Sequence, residues 1–149
     1  MAKEVYILVG PPGSGKTTWT KSQLEKLGLY FLTGVCSADH YFTDSSTNEY
    51  KFDGRKLNAA HKACQTKFQE LISNEYDIII VDNTNLKKAD RKFYVDLATD
   101  NGYTIIYVKF DGRYENIHGV SDEKMKSMIA TYNSNECEFL KDDYVLVIK

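Results

Sequence analysis

Residues 10 to 17 read Gly-Pro-Pro-Gly-Ser-Gly-Lys-Thr and satisfy the spacing GxxxxGK(S/T) in full. Glycines at 10, 13 and 15 let the backbone curl until successive N–H groups face one anion. The helix expected to follow adds its positive N-terminal end. In such a loop Lys16 reaches the β- and γ-phosphates, and Thr17 offers its hydroxyl to Mg2+. The chemistry expected is binding of a nucleoside triphosphate with Mg2+, cradled by Gly10, Pro11, Pro12, Gly13, Ser14, Gly15, Lys16, Thr17 and Thr18. No Asn-Lys-x-Asp base-reading motif of the GTPases occurs, so ATP is the expected donor.

Phosphoryl transfer to a hydroxyl also needs a carboxylate that orients the acceptor and takes its proton. In an open α/β sheet, ligands lie outside the carboxyl ends of the strands. Two carboxylates fall at such positions: Asp39 in Ser-Ala-Asp-His-Tyr-Phe and Asp82 in Val-Asp-Asn-Thr-Asn-Leu. The alternatives are a helix N-cap for Asp39 and a structural strand-end carboxylate for Asp82. Of the histidines, His40 and His118 are site candidates, while His61 lies on the apolar side of its helix as a core histidine would. Trp19 reads as a packing residue, and no His/Cys/Asp set has zinc spacing.

These residues must be positioned by strands and helices that the hydropathy pattern marks out. Val5 to Val9 is an apolar run suited to a strand buried on both faces, and Thr17 to Leu27 is a helix stopped by Gly28. Tyr30 to Cys36 is a second strand interrupted by Gly34, and residues 43–49 form a polar loop. Asp53 is placed as an N-cap before a helix carrying Leu57, Ala60, Cys64, Phe68, Leu71 and Ile72 through Ser73. Ile78 to Val81 is the most strand-like segment. Phe93, Tyr94, Leu97 and Ala98 mark a helix closed near Asn101-Gly102. Tyr103 to Phe110 is a fourth strand, and Gly112 to Gly119 is polar. Ser121 caps a last helix with Met125, Met128 and Ile129, and Tyr144 to Ile148 is a final strand. This alternation predicts an α/β P-loop NTPase fold, a three-layer α/β/α sandwich on a mainly parallel sheet of about five strands.

Composition narrows the classes. The 149 residues fit one domain, 1–149. Lys plus Arg is 19 against 21 Asp plus Glu, a net charge of −2, which excludes a protein basic over its whole surface. A local basic groove remains open, and Lys87, Lys88, Arg91 and Lys92 form one candidate, either for a nucleic-acid backbone or as a solvated helix face. No apolar run suits a membrane span or a signal peptide. Cys36, Cys64 and Cys137 are scattered, as buried reduced thiols are, and the expected location is cytoplasmic.

Beyond the generic phosphate loop, several segments resemble the kinase domain of the 5′-hydroxyl polynucleotide kinases and the related polynucleotide-kinase-like P-loop family. They are GPPGSGKTTW at 10–19, SADHYF at 37–42, NEYKFD at 48–53, VDNTNL at 81–86, and His118 to Ser121 leading into a helix. The likeness covers roughly residues 4 to 132. It implies that Asp39 is the base on the acceptor 5′-hydroxyl, that Lys16 and Thr17 serve the donor phosphates and Mg2+, and that Asp82 helps hold the acceptor side. The phage-type enzymes carry an Arg three residues past the base, where this chain has Phe42 and other family members also carry Tyr-Phe, and the family carries an Arg in its lid, where this chain has Glu115. Arg113, one of three arginines, is the nearest substitute in a shortened lid at about 112–120.

The reading is an ATP-dependent transfer of the γ-phosphate to a 5′-hydroxyl end of nucleic acid. Two alternatives stand beside it: a nucleoside, nucleotide or other small-molecule kinase, and an ATP-binding module without transfer activity. The phosphatase domain that often accompanies such kinases needs Asp-x-Asp, which is not found here.

Overall fold

The computed structural model describes residues 3–44, 46–112, 120–134, 137–141 and 143–149. Its strands are β1 (Glu4–Val9), β2 (Thr33–Cys36), β3 (Ile78–Val81), β4 (Thr104–Phe110) and β5 (Tyr144–Ile148). Its α-helices are α1 (Lys16–Leu27), α2 (Leu57–Ser73), α3 (Lys88–Asp100) and α4 (Asp122–Tyr132). The five strands form one sheet in the order β2-β3-β1-β4-β5, and every pairing is parallel.

Parallel strands need crossovers, and the crossovers cover the sheet on both sides. One face presents Val5, Ile7, Val9, Ile79 and Val81 to Cys64, Phe68 and Leu71 of α2 and to Tyr94 and Ala98 of α3. The other face presents Leu8, Ile78, Ile80, Val108 and Phe110 to Trp19 and Leu27 of α1. Residues of both parities in β1 and β3 are therefore buried, which is why those strands read as continuous apolar runs rather than alternating ones. The three-layer α/β expectation holds, with Trp19 in a packing role.

Three local readings change. The second strand spans only Thr33–Cys36; Tyr30 and Leu32 lie outside it, exposed, because Phe31 and Tyr30 close a turn on Leu27 instead. Gly34 is a packing requirement in β2: a Cβ there would meet Leu71 of α2 at 2.5 Å. Asp53 caps a short 3₁₀ turn (Gly54–Lys56) that leads into α2, accepting from the Arg55 N–H.

All strands point the same way, so their carboxyl ends share one edge. The chain leaves that edge at Gly10, Ser37 and Asp82, and the site is built from these exits.

Candidate active site

The phosphate loop joins the centre of the sheet to α1. Gly15 holds φ 97°, a left-handed conformation open to glycine, and Lys16 begins the helix directly after it. The first turn of α1 carries no acidic side chain and no side-chain cap, so its N–H groups are left for an anion. Ser14 adds a second sign of the same ligand. Its hydroxyl is buried and, among the described residues, is the one buried side-chain oxygen or nitrogen without a hydrogen-bond partner. A phosphate oxygen would satisfy it.

Lys16 is buried, and its ammonium donates to the carbonyls of Gly10 (2.9 Å) and Pro11 (2.8 Å). Burial pulls its pKa down to about 8, against the opposing pull of the Asp82 and Asp39 carboxylates. Thr17 donates to Asp82 Oδ2 at 3.3 Å, and the Thr20 hydroxyl, one turn later, lies 3.4 Å from the same oxygen while donating to the Lys16 carbonyl at 2.9 Å. Asp82 is buried at the end of β3, next to β1 in the sheet. Burial raises its pKa, helped by the Asp39 charge and opposed by Lys16 and the Thr17 hydrogen bond. Hydroxyl and carboxylate oxygens beside a phosphate cradle suit Mg2+, which takes few protein ligands and shares the rest with phosphate and water. The residues thus fit both expected groups.

Asp39 sits in a 3₁₀ turn (Ala38–Phe42) after β2. Ser37, not Asp39, caps that turn, accepting from the Asp39 N–H at 3.2 Å, so the N-cap alternative for Asp39 falls away. The turn is fixed from two sides. Asn83 accepts from the Ala38 N–H at 2.8 Å, and Tyr50 donates its hydroxyl to Asp39 Oδ1 at 3.2 Å. Tyr50 reaches Asp39 because residues 43 to 50 fold back through an antiparallel bridge between Thr43 and Tyr50. Burial and the neighbouring Asp39 charge raise the Tyr50 pKa, keeping the hydroxyl protonated as a donor.

These parts line one cleft of about 400 Å³. Its donor side is Pro12, Gly13, Gly15, Lys16, Thr17 and Thr18. Its acceptor side carries Asp39, Tyr50, Phe52, His61, Asp82 and the start of α4 with Ser121 and Lys124. Asp39 and Asp82, far apart in sequence, are thereby brought to the same cleft as Lys16. His61 is exposed and lines this cleft rather than the core, because the face of α2 toward the sheet is taken by Cys64, Phe68 and Leu71. His40 is exposed outside the cleft-lining set.

Arg91 corrects the basic-cluster reading. It is buried and donates to the carbonyls of Asn85 (2.7 Å), Leu86 (2.9 Å) and Cys137 (3.3 Å). Its guanidinium also stacks 4.5 Å from the Phe139 ring centroid. It is an internal brace, and a nucleic-acid backbone cannot reach it. Of the exposed members, Lys92 pairs with Asp96 at 2.8 Å and Lys88 with Glu138 at 3.9 Å. Arg113, His118 and most of the 112–120 lid lie outside the described residues. The three cysteines are buried and free, as expected.

Sequence patterns gave no role to Tyr50, Phe52 or Thr20. Thr20 could have been found as the residue one helical turn after Thr17. Tyr50 and Phe52 depend on how a polar loop folds back, which no periodicity records.

With this geometry in view, the comparisons with known proteins agree on the frame. NEDD4-binding protein 2 of Homo sapiens is 33% identical over 139 residues, covering 86% of this chain, and the chain spans 8% of that protein's length. A sugar kinase from Janibacter sp. superposes with TM-score 0.62 at 16% identity, covering 98% of this chain and 84% of that one. A chain of the Pnkp1/Rnl/Hen1 complex superposes with TM-score 0.55 at 20% identity, covering 96% of this chain and 43% of that one. At these identities the two structures bear on the fold alone. The family model described as an AAA domain, AAA_33, matches residues 5–129, most of the chain including the phosphate loop, Asp39 and Asp82. The chain belongs to that AAA domain family and is built as a P-loop kinase-like domain.

Proposed function

We propose that this domain transfers the γ-phosphate of ATP to the 5′-hydroxyl of a nucleic-acid end. The observation that carries the reading is the Asp39 carboxylate, held by Tyr50 in the same cleft as the phosphate loop. Asp39 accepts the proton of the acceptor hydroxyl as its oxygen bonds to the γ-phosphorus. The bond to the bridging oxygen breaks in line, and ADP leaves. Lys16 and the α1 amides neutralise charge on the phosphates. Thr17, oriented by Asp82, would hold Mg2+, which would supply electrostatic stabilisation of the phosphates. Arg113, expected from the resemblance to approach the transferring group, belongs to this proposal as the candidate lid arginine.

A second reading keeps the chemistry and changes the acceptor to a small molecule. The fold likeness to a sugar kinase and a cleft of about 400 Å³ favour it. One assay separates them: transfer of radioactive γ-phosphate to 5′-hydroxyl oligonucleotides, nucleosides, mononucleotides and sugars in parallel. Labelled oligonucleotide is expected, lost by at least ~10²-fold in Asp39→Asn while ATP binding persists. Labelling of a small molecule only would replace the first reading with the second. Near wild-type transfer by Asp39→Asn would remove Asp39 as the base.

A further inference from the structure

Phe52 is a large apolar side chain left 47% exposed, and it lines the cleft that holds Asp39 and Lys16. Its ring is not loose. It packs with its centroid 5.1 Å from that of Phe42, which is buried against Ala38, Ala60, Tyr50 and Leu57. The backbone is tied as well: the Lys51 N–H donates to the Phe42 carbonyl at 2.8 Å, beside the Thr43–Tyr50 bridge. One edge of the ring is thus anchored in the protein, and the remainder is presented to the cleft two residues from Tyr50, which holds Asp39.

The rest of the acceptor side says what such a ring would meet. Its walls are Tyr50, Leu57, Val120 and Met128, surfaces for a flat, weakly polar group. Its basic side chains among the described residues are Lys124 and His61 beyond the donor-side Lys16, and no described arginine lines it. That set lacks the bidentate forks that clamp an acceptor phosphate.

We propose that Phe52 is the stacking platform for the nucleobase of the acceptor's 5′-terminal nucleotide, so that the base is part of what the domain recognises in its acceptor. This rests on the proposed 5′-hydroxyl kinase reading. Stacking on an aromatic side chain tolerates every base, so the platform selects for a base being present and not for which one.

The test compares 5′-hydroxyl oligonucleotides that differ only in their terminal residue, ordinary or abasic, and adds the free nucleoside as a third acceptor. The wild-type domain is expected to show a KM about 10- to 100-fold higher for the abasic end, with kcat little changed. Phe52→Ala is expected to raise KM for the ordinary end to that of the abasic one, and Phe52→Trp to restore the difference. KM for ATP stays the same in both variants. A free nucleoside labelled as efficiently as the oligonucleotide assigns the platform to a mononucleoside acceptor and overturns the polynucleotide form of the proposal. Equal use of ordinary and abasic ends by the wild type, or a shift in KM for ATP instead, overturns the stacking platform while leaving the kinase reading in place. No labelling of any oligonucleotide overturns the nucleic-acid 5′-hydroxyl kinase reading and the platform together.

Discussion

The Tyr50 hydroxyl donates to Asp39 Oδ1 at 3.2 Å across the turn closed by the Thr43–Tyr50 bridge. A base held this way keeps one rotamer and presents its carboxylate to the cleft without waiting for the substrate. Tyr50→Phe keeps the ring and removes the donor. It is expected to lower kcat roughly tenfold, the worth of a hydrogen bond to a charged group. ATP affinity measured by calorimetry stays unchanged, which separates positioning from misfolding.

Asp82 and Thr17 share one hydrogen bond at 3.3 Å, and the Thr20 hydroxyl lies 3.4 Å from the same carboxylate oxygen. Asp82→Asn replaces one of the two carboxylate oxygens by an NH2 group and removes the charge that orients Thr17. The Mg2+ concentration for half-maximal transfer is expected to rise about 10- to 100-fold. A magnesium titration at saturating ATP measures it, and an unchanged midpoint would detach Asp82 from the metal.

Lys16 gives a pH signature. Its pKa, lowered to about 8 by burial, leaves it partly neutral just above that pH. Phosphates favour the charged form, so nucleotide binding there raises the pKa and takes up a proton. Affinity for ATP is therefore level below pH 8 and falls as pH rises through 8 to 9. Calorimetry at pH 8.5 in two buffers of different ionisation enthalpy reads the proton directly. Uptake is expected, and zero exchange counts against the lowered pKa.

Arg91 predicts stability, not catalysis. Arg91→Leu leaves the carbonyls of Asn85, Leu86 and Cys137 without their donor inside the protein. The cost is expected at about 2–4 kcal/mol, read by urea unfolding. At a temperature where the variant is folded, KM for an oligonucleotide is unchanged, because this side chain is only 3% exposed.

The skeleton of the candidate site was legible because it is local. A phosphate loop needs its residues contiguous, and β1 and β3 advertise burial on both faces through runs such as Ile78-Ile79-Ile80-Val81. Asp39 and Asp82 could be placed because parallel strands put all carboxyl ends on one edge. What stayed hidden depends on tertiary packing. Arg91 looks like its lysine neighbours in sequence, and only the carbonyls of two separate loops make it internal. His61 shares the helical spacing of core residues, yet α2 turns that side toward the cleft. Tyr50 and Phe52 sit in a polar stretch whose fold-back is set by one bridge and the Phe42 anchor.

The order of strands has a kinetic side. β1 carries the phosphate loop and lies in the middle of the sheet, where Glu4 is paired with both Ile78 and Thr104. No hairpin shortens these searches, so the chain must close long loops before its central strand gains either neighbour. Asp82 leaves β3 and meets Thr17 only once that pairing exists. The contact between Thr17 and Asp82 thus depends on the long-range pairing of the sheet, whereas the phosphate loop itself is contiguous in the chain.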